Sequence, residues 1–142
     1  MDCVTQATLL IVDDELMVRS ALKRLLRQDG YQILDGGSAG EGLALLAQHT
    51  VQVVLSDQRM PRTSGTEFLG QVKALYPHTT RLLLSGHAEQ ADVADAIKKG
   101  GVHRYLTKSW DNEALRRAIR DAFSWQAESE NSSTSPLAAT TN

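Results

Sequence analysis

Short apolar runs that stop at an acid or a hydroxyl, each followed by an amphipathic stretch, constrain this chain more than any other feature. Thr8 to Val12 reads Thr-Leu-Leu-Ile-Val and ends at Asp13-Asp14-Glu15. Val51 to Leu55 repeats the pattern and leads to Asp57, and Arg81 to Leu84 leads to Ser85. Such runs suit strands covered on both faces, because a strand with one wet face alternates apolar and polar residues. Tyr31 to Leu34 and Val102 to Leu106 supply two further strands.

Helical spacing fills the gaps. Val18, Leu22, Leu25 and Leu26 recur at three- and four-residue intervals until Gly30 stops the pattern. Ser38 is placed to cap an alanine- and leucine-rich helix that ends near His49. A loop over Arg59 to Gly65 precedes Phe68, Leu69, Val72 and Leu75, and a short polar helix is expected around Ala91 to Lys98. The last helix starts near Asp111 and sets Leu115, Ala118, Ile119, Ala122 and Phe123 on one side. Five strands alternating with five helices imply right-handed crossovers and an α/β, doubly wound parallel sheet with helices on both faces.

The 142 residues suffice for one domain. Residues 1–7 form an N-terminal extension and 8–125 the domain. From 126 to 142 the chain turns small and polar, which reads as a disordered tail or the start of an interdomain linker. Fifteen Lys and Arg against seventeen Asp and Glu, with no polybasic block, argue against direct nucleic-acid binding. The single cysteine, Cys3, can form neither an internal disulfide nor a CxxC metal site, which suits the cytoplasm. No apolar run reaches the roughly 20 residues of a membrane span.

In an open parallel sheet, ligands bind beyond the carboxyl ends of the strands, where the strand order reverses. Those ends carry Asp13 and Asp14, Asp57, Ser85, and Thr107-Lys108. Singly, each acid could be no more than a helix cap, Asp14 for the first helix included. Together, three carboxylates repel one another and call for a cation. An all-oxygen set matches Mg²⁺ rather than zinc, and His49, His78, His87 and His103 are too scattered to be ligands. With a metal neutralising charge, one carboxylate can attack phosphorus while a lysine stabilises the moving phosphoryl oxygens. Asp57 is the candidate nucleophile. Tyr105, on the last strand, could equally be a half-buried core aromatic, and Lys108 alone a solvated strand-end residue.

From Thr8 to Trp125 the sequence resembles the receiver domain of a bacterial two-component response regulator. Asp13-Asp14 matches that family's acidic pair, Asp57 in Ser56-Asp57-Gln58-Arg59-Met60-Pro61 the phosphoacceptor, Ser85 the switch hydroxyl and Lys108 the active-site lysine. The resemblance implies a flavodoxin-like five-stranded sheet of order 2-1-3-4-5. It also implies phosphoryl transfer to Asp57 from a histidine kinase or phosphotransfer protein. Mg²⁺, or Mn²⁺ in its place, would be held by Asp14, Asp57 and the main-chain carbonyl of Arg59, with Asp13 acting one step removed. Ser85 and Lys108 would contact the phosphoryl oxygens, and Tyr105 would swing inward. That movement changes the face made by the fourth helix, fifth strand and fifth helix, for an output domain in cis, a partner protein in trans or a phosphorylation-dependent homodimer. Promoting its own phosphorylation and dephosphorylation is the only catalysis implied.

The run Gly100-Gly101-Val102-His103-Arg104-Tyr105-Leu106-Thr107-Lys108, with a tryptophan close behind, looks most like receivers of two kinds. One kind is fused to HD-type cyclic-di-GMP phosphodiesterases, the other belongs to hydrogenase-regulating activators. One departure stands out. The family's proline after the lysine is Ser109 here, before which a cis bond would cost roughly 2.5–4 kcal/mol. Arg59 and His87 fill the two variable positions that border the incoming water. Two rival classes remain: a phosphatase with an Asp nucleophile, disfavoured by Arg59 where a second acid is common, and a phosphorylation-independent binding module on the same fold.

Overall fold

The computed structural model describes residues 7–86, 101–108 and 110–134, the last six in backbone only. The expected helix around Ala91 to Lys98, His87 and the Lys108–Ser109 peptide lie outside the described residues. Five strands, β1 (Thr8–Val12), β2 (Gln32–Gly36), β3 (Val53–Asp57), β4 (Thr80–Ser85) and β5 (Arg104–Thr107), form one sheet of order β2-β1-β3-β4-β5. All four pairings are parallel. The order expected from the resemblance is the order observed.

Alternation within the strands sends side chains to two separate cores. Leu10, Val12, Val54 and Leu83 pack with Phe68, Leu69 and Val72 under helices α2 (Ala39–Gln48) and α3 (Gly65–Leu75). Leu9, Ile11, Val53, Leu55, Leu82 and Leu84 pack with Leu22, Leu26, Leu115 and Ile119 under α1 (Leu16–Leu26) and α4 (Asn112–Thr134). The inner strands are therefore buried on both faces, as their unbroken apolar runs require. Each fully buried leucine contributes about 1.5–3 kcal/mol.

Several boundaries differ from the sequence expectation. Strand β3 begins two residues later, at Val53, although Gln52 is already tied on both sides, its amide donating to the Thr8 carbonyl at 3.1 Å and its carbonyl accepting from the Thr80 amide at 2.9 Å. Asp57 is the last residue of β3, held in the ladder opposite Leu84. The cap of α1 is Glu15 and not Asp14; the Glu15 amide donates to Asp13 Oδ1 at 2.8 Å. Ser38 caps α2 as expected, accepting from the Glu41 amide.

The last helix runs on to Thr134, past residue 126, where the sequence turns small and polar. The inward stripe of Ala118, Ile119 and Ala122 gains one more buried member in Gln126, so the helix is still anchored at the point where the sequence turns polar.

Candidate functional site

Strands β1 and β3 are neighbours, yet the chain leaves β1 toward β2 on one side and returns to β3 on the other. Their carboxyl ends flank the reversal point, and Asp13 and Asp57 sit there. Asp13 is 1% exposed and Asp57 2%, whereas Asp14 faces solvent. Carboxylate oxygens of Asp13, Asp14 and Asp57 lie within 4.8 Å of one another. Among the described residues, Asp13 Oδ2 and both oxygens of Asp57 are buried without a well-aligned hydrogen-bond partner, although Lys108 and the Arg59 main-chain amide both favour the Asp57 anion.

Burial dominates the protonation of this pair. It pushes the Asp13 carboxyl up to about 6, with the nearby Asp57 charge adding to the rise and the Glu15 amide opposing it. Burial likewise raises Asp57, and the opposing field of Lys108 does not cancel it. Oxygens that repel one another and, in Asp13 and Asp57, are buried without aligned donors fit a hard divalent cation, which would offset the repulsion and give the buried oxygens a partner. The exposed Asp14 leaves one side of the cluster open to water, as Mg²⁺ prefers.

Lys108 closes the other side. Its amide donates to the Ser85 carbonyl at 2.9 Å, which fixes its backbone one step beyond β5. Its ammonium lies 3.2 Å from Asp57 Oδ1, an ion pair without hydrogen-bond alignment, and 3.8 Å from Asp13 Oδ2. It also donates to Glu15 Oε1 at 3.0 Å. Burial alone would lower the Lys108 pKa, but Glu15, Asp57 and Asp13 together carry it above the ordinary lysine value. Ser85 ends β4, is 1% exposed, and donates from Oγ to the Gly86 carbonyl at 3.2 Å. Tyr105 lies on β5 opposite Leu83 and packs on the α2–α3 core; its hydroxyl is buried without a partner among the described residues. Arg59 is exposed on the loop that leaves Asp57.

That loop is held by residues that sequence reasoning passed over. The Gln58 amide donates to the Leu84 carbonyl at 3.0 Å, while the Gln58 side-chain oxygen accepts from Thr66 N and Oγ1, both at 2.9 Å. Ser64 and Glu67 form a reciprocal capping box at the start of α3. Ser64-x-x-Glu67 is a readable signature of that box. Gly65 allows the close approach: a Cβ there would overlap the Asp57 carbonyl. Glu15 is the other omission, and only its place beside the acidic pair could have signalled it. Among the described residues the structure thus brings Asp13, Asp14, Asp57 and Lys108 together, with Ser85 adjoining through the Lys108 backbone.

Five parallel strands with an acidic pocket at the reversal point, faced by a lysine, define a receiver-type signalling domain. The chain belongs to the response regulator receiver domain family, which matches residues 9–120. It is 38% identical over 117 residues to the hydrogenase transcriptional regulatory protein HoxA of Bradyrhizobium diazoefficiens, covering 82% of this chain and 24% of that one. HoxA of Cupriavidus necator is 37% identical over 121 residues, covering 85% and 25%. The chain therefore spans about a quarter of the length of these curated relatives. The crystal structure of the signal receiver domain of an HD domain-containing protein from Pseudomonas fluorescens Pf-5 superimposes with a TM-score of 0.84 at 33% identity, covering 87% of this chain and 99% of that one. Both resemblances expected of the subgroup, to hydrogenase regulators and to HD-linked receivers, are found. Among the described residues no helix is long and apolar enough to cross a membrane.

Proposed function

We propose that Asp57 is the phosphoacceptor of a two-component switch, charged by a histidine kinase or a phosphotransfer protein. The observation that carries this reading is the state of its carboxylate: 2% exposed, with no well-aligned hydrogen bond to either oxygen among the described residues, and with the Lys108 ammonium 3.2 Å away. An Asp57 oxygen attacks phosphorus, the bond from phosphorus to the donor nitrogen breaks, and its electron pair leaves with the donor imidazole. Lys108 stabilises charge on the transferred phosphoryl oxygens as a point charge, and the Ser85 hydroxyl leaves Gly86 to donate to them.

Asp14, Asp57 and the main-chain carbonyl of Arg59 would hold Mg²⁺, or Mn²⁺ in its place, with Asp13 acting one step removed. The ion would supply charge neutralisation at the phosphoryl oxygens. Burial of Asp13 and Asp57 keeps competing water out and makes these charges count for more.

New charge at Asp57 draws Ser85 inward, Tyr105 follows, and the face formed by the segment before β5, by β5 and by α4 changes shape. Residues 8–125 act as the receiver, and the chain from 126 leads toward what it controls. The listener is an output domain in cis, of the hydrogenase-regulator or HD phosphodiesterase kind, or a partner in trans, with homodimerisation on phosphorylation as one route. The setting is the cytoplasm, with no direct contact to nucleic acid or membrane by this segment.

The test is intact mass after incubation with a small acyl phosphate, with and without Mg²⁺, beside Asp57→Asn. A Mg²⁺-dependent gain of one phosphoryl group, absent in the variant, is expected. No gain in folded, metal-binding wild type from either the small donor or a kinase would overturn the assignment.

A further inference from the structure

Lys108 has more claimants than the phosphoryl reaction needs. Of its three carboxylate neighbours among the described residues, Glu15 is the nearest, at 3.0 Å against 3.2 Å for Asp57 and 3.8 Å for Asp13, and the one that accepts a well-formed hydrogen bond. Glu15 is not there for the helix. It occupies the cap position of α1 by its backbone alone, and its side chain makes no cap bond. Among the described residues the Glu15 carboxylate has no hydrogen-bond partner other than Lys108.

From this geometry we propose that Glu15 is a positioning residue that detains Lys108 in the resting state, so that phosphorylation of Asp57 requires the ammonium to exchange Glu15 for the phosphoryl oxygens. The inference rests on the phosphoacceptor reading above. Two effects act in one direction. While Glu15 holds the ammonium, the incoming phosphoryl group meets less positive charge. Once a dianion is attached to Asp57, the Glu15 carboxylate stands beside it as a like charge. The Glu15 side chain is 60% exposed, so it can swing away, and its hold is that of a partly solvated ion pair. Asp13 and Asp57, each with a side chain about 1% exposed, cannot yield in this way. Glu15 is the movable member of the set.

The experiment compares wild type, Glu15→Gln and Glu15→Asp in the rate of phosphorylation by a small acyl phosphate, by intact mass at saturating Mg²⁺, so that a weaker metal affinity does not mask the effect. Glu15→Gln is expected to react about two- to fivefold faster at low salt, the range set by a partly exposed ion pair. The advantage should close near 1 M salt, where the screening length is about 3 Å. Glu15→Asp keeps the charge and should stay near wild type. A second readout needs neither donor nor metal: the Lys108 ammonium signal in the NMR spectrum of the resting protein should shift or vanish in Glu15→Gln.

Equal rates for wild type and Glu15→Gln, or an equal gain in Glu15→Asp, or an unmoved Lys108 signal, would each overturn the role of Glu15 and leave Asp57 as phosphoacceptor untouched. Absence of phosphorylation in all three chains, with Mg²⁺ bound and either donor class supplied, would instead remove the phosphoacceptor reading and this inference with it.

Discussion

Arg19 on α1 donates a 2.6 Å hydrogen bond to the main-chain carbonyl of Asp13, so the acidic loop is gripped by the helix that follows it. The same guanidinium donates from Nε to Asp35 Oδ2 at 2.8 Å, and Lys23 reaches the other Asp35 oxygen at 3.0 Å. Asp35, on β2, therefore sets the position of the residue that positions Asp13.

This arrangement predicts a pH signature. Burial works to raise the Asp35 carboxyl, but Lys23 and Arg19 outweigh it and hold the group below its ordinary 3.8. A carboxyl depressed in the folded state adds stability above its unfolded value, and that contribution fades as pH falls through the lower folded value. Asp35→Asn should lower the unfolding temperature at pH 6, by an amount corresponding to about 1 kcal/mol. Thermal unfolding from pH 6 to pH 2 should show the two proteins converging below pH 4. A constant gap across that range would rule out the ion pairs as its source.

Removing charge from the pocket should have the opposite effect. Both Asp57 oxygens are buried with no well-aligned hydrogen bond among the described residues, and Asp13 lies beside them. Without metal, Asp57→Asn is expected to be more stable than wild type by about 1–3 kcal/mol, since an amide carries no buried charge. Saturation with Mg²⁺ should reverse the ranking, adding about 2.7 kcal/mol to wild type at a hundredfold excess over Kd and little to the variant. Calorimetry with and without the ion decides it.

Gly65 is expected to tolerate no side chain. A Cβ there meets the Asp57 carbonyl, which is strand backbone and cannot yield cheaply. Gly65→Ala should cost about 1–3 kcal/mol and also slow phosphorylation, because relief of the overlap must displace either β3 or α3. An alanine variant with wild-type stability and rate would show that the loop has slack.

Gln58→Ala removes the acceptor for both Thr66 N and Thr66 Oγ1. Loss of about 1 kcal/mol in chemical denaturation is expected, the usual size for a helix-terminus cap. Gln58→Glu keeps the acceptor and should recover most of it.

Much of this was legible in the sequence because the strong signals were local. Five apolar runs marked the strands, and the polar residues after four of them marked Asp13, Asp14, Asp57, Ser85 and Lys108. What escaped depended on contacts between distant segments. Gln52 accepts from the Thr8 amide with its side chain across 44 residues, a contact that no local propensity encodes. Glu15 meets Lys108 across 93 residues, and its neighbours marked it only as one more acid in a run. The extent of α4 was not legible because composition turns polar at Gln126, while burial of that one side chain continues the packed stripe.

The length of α4 has a mechanical consequence. At 1.5 Å per residue its 23 residues make a rod of about 35 Å. One end starts four residues past Lys108, and the other stands well clear of the last buried stripe at Gln126. A tilt of about 10° at the end near the pocket would carry the far tip through about 6 Å, by the same length. Any tilt imposed at the pocket end would thus be largest at the far tip, where another body could meet it.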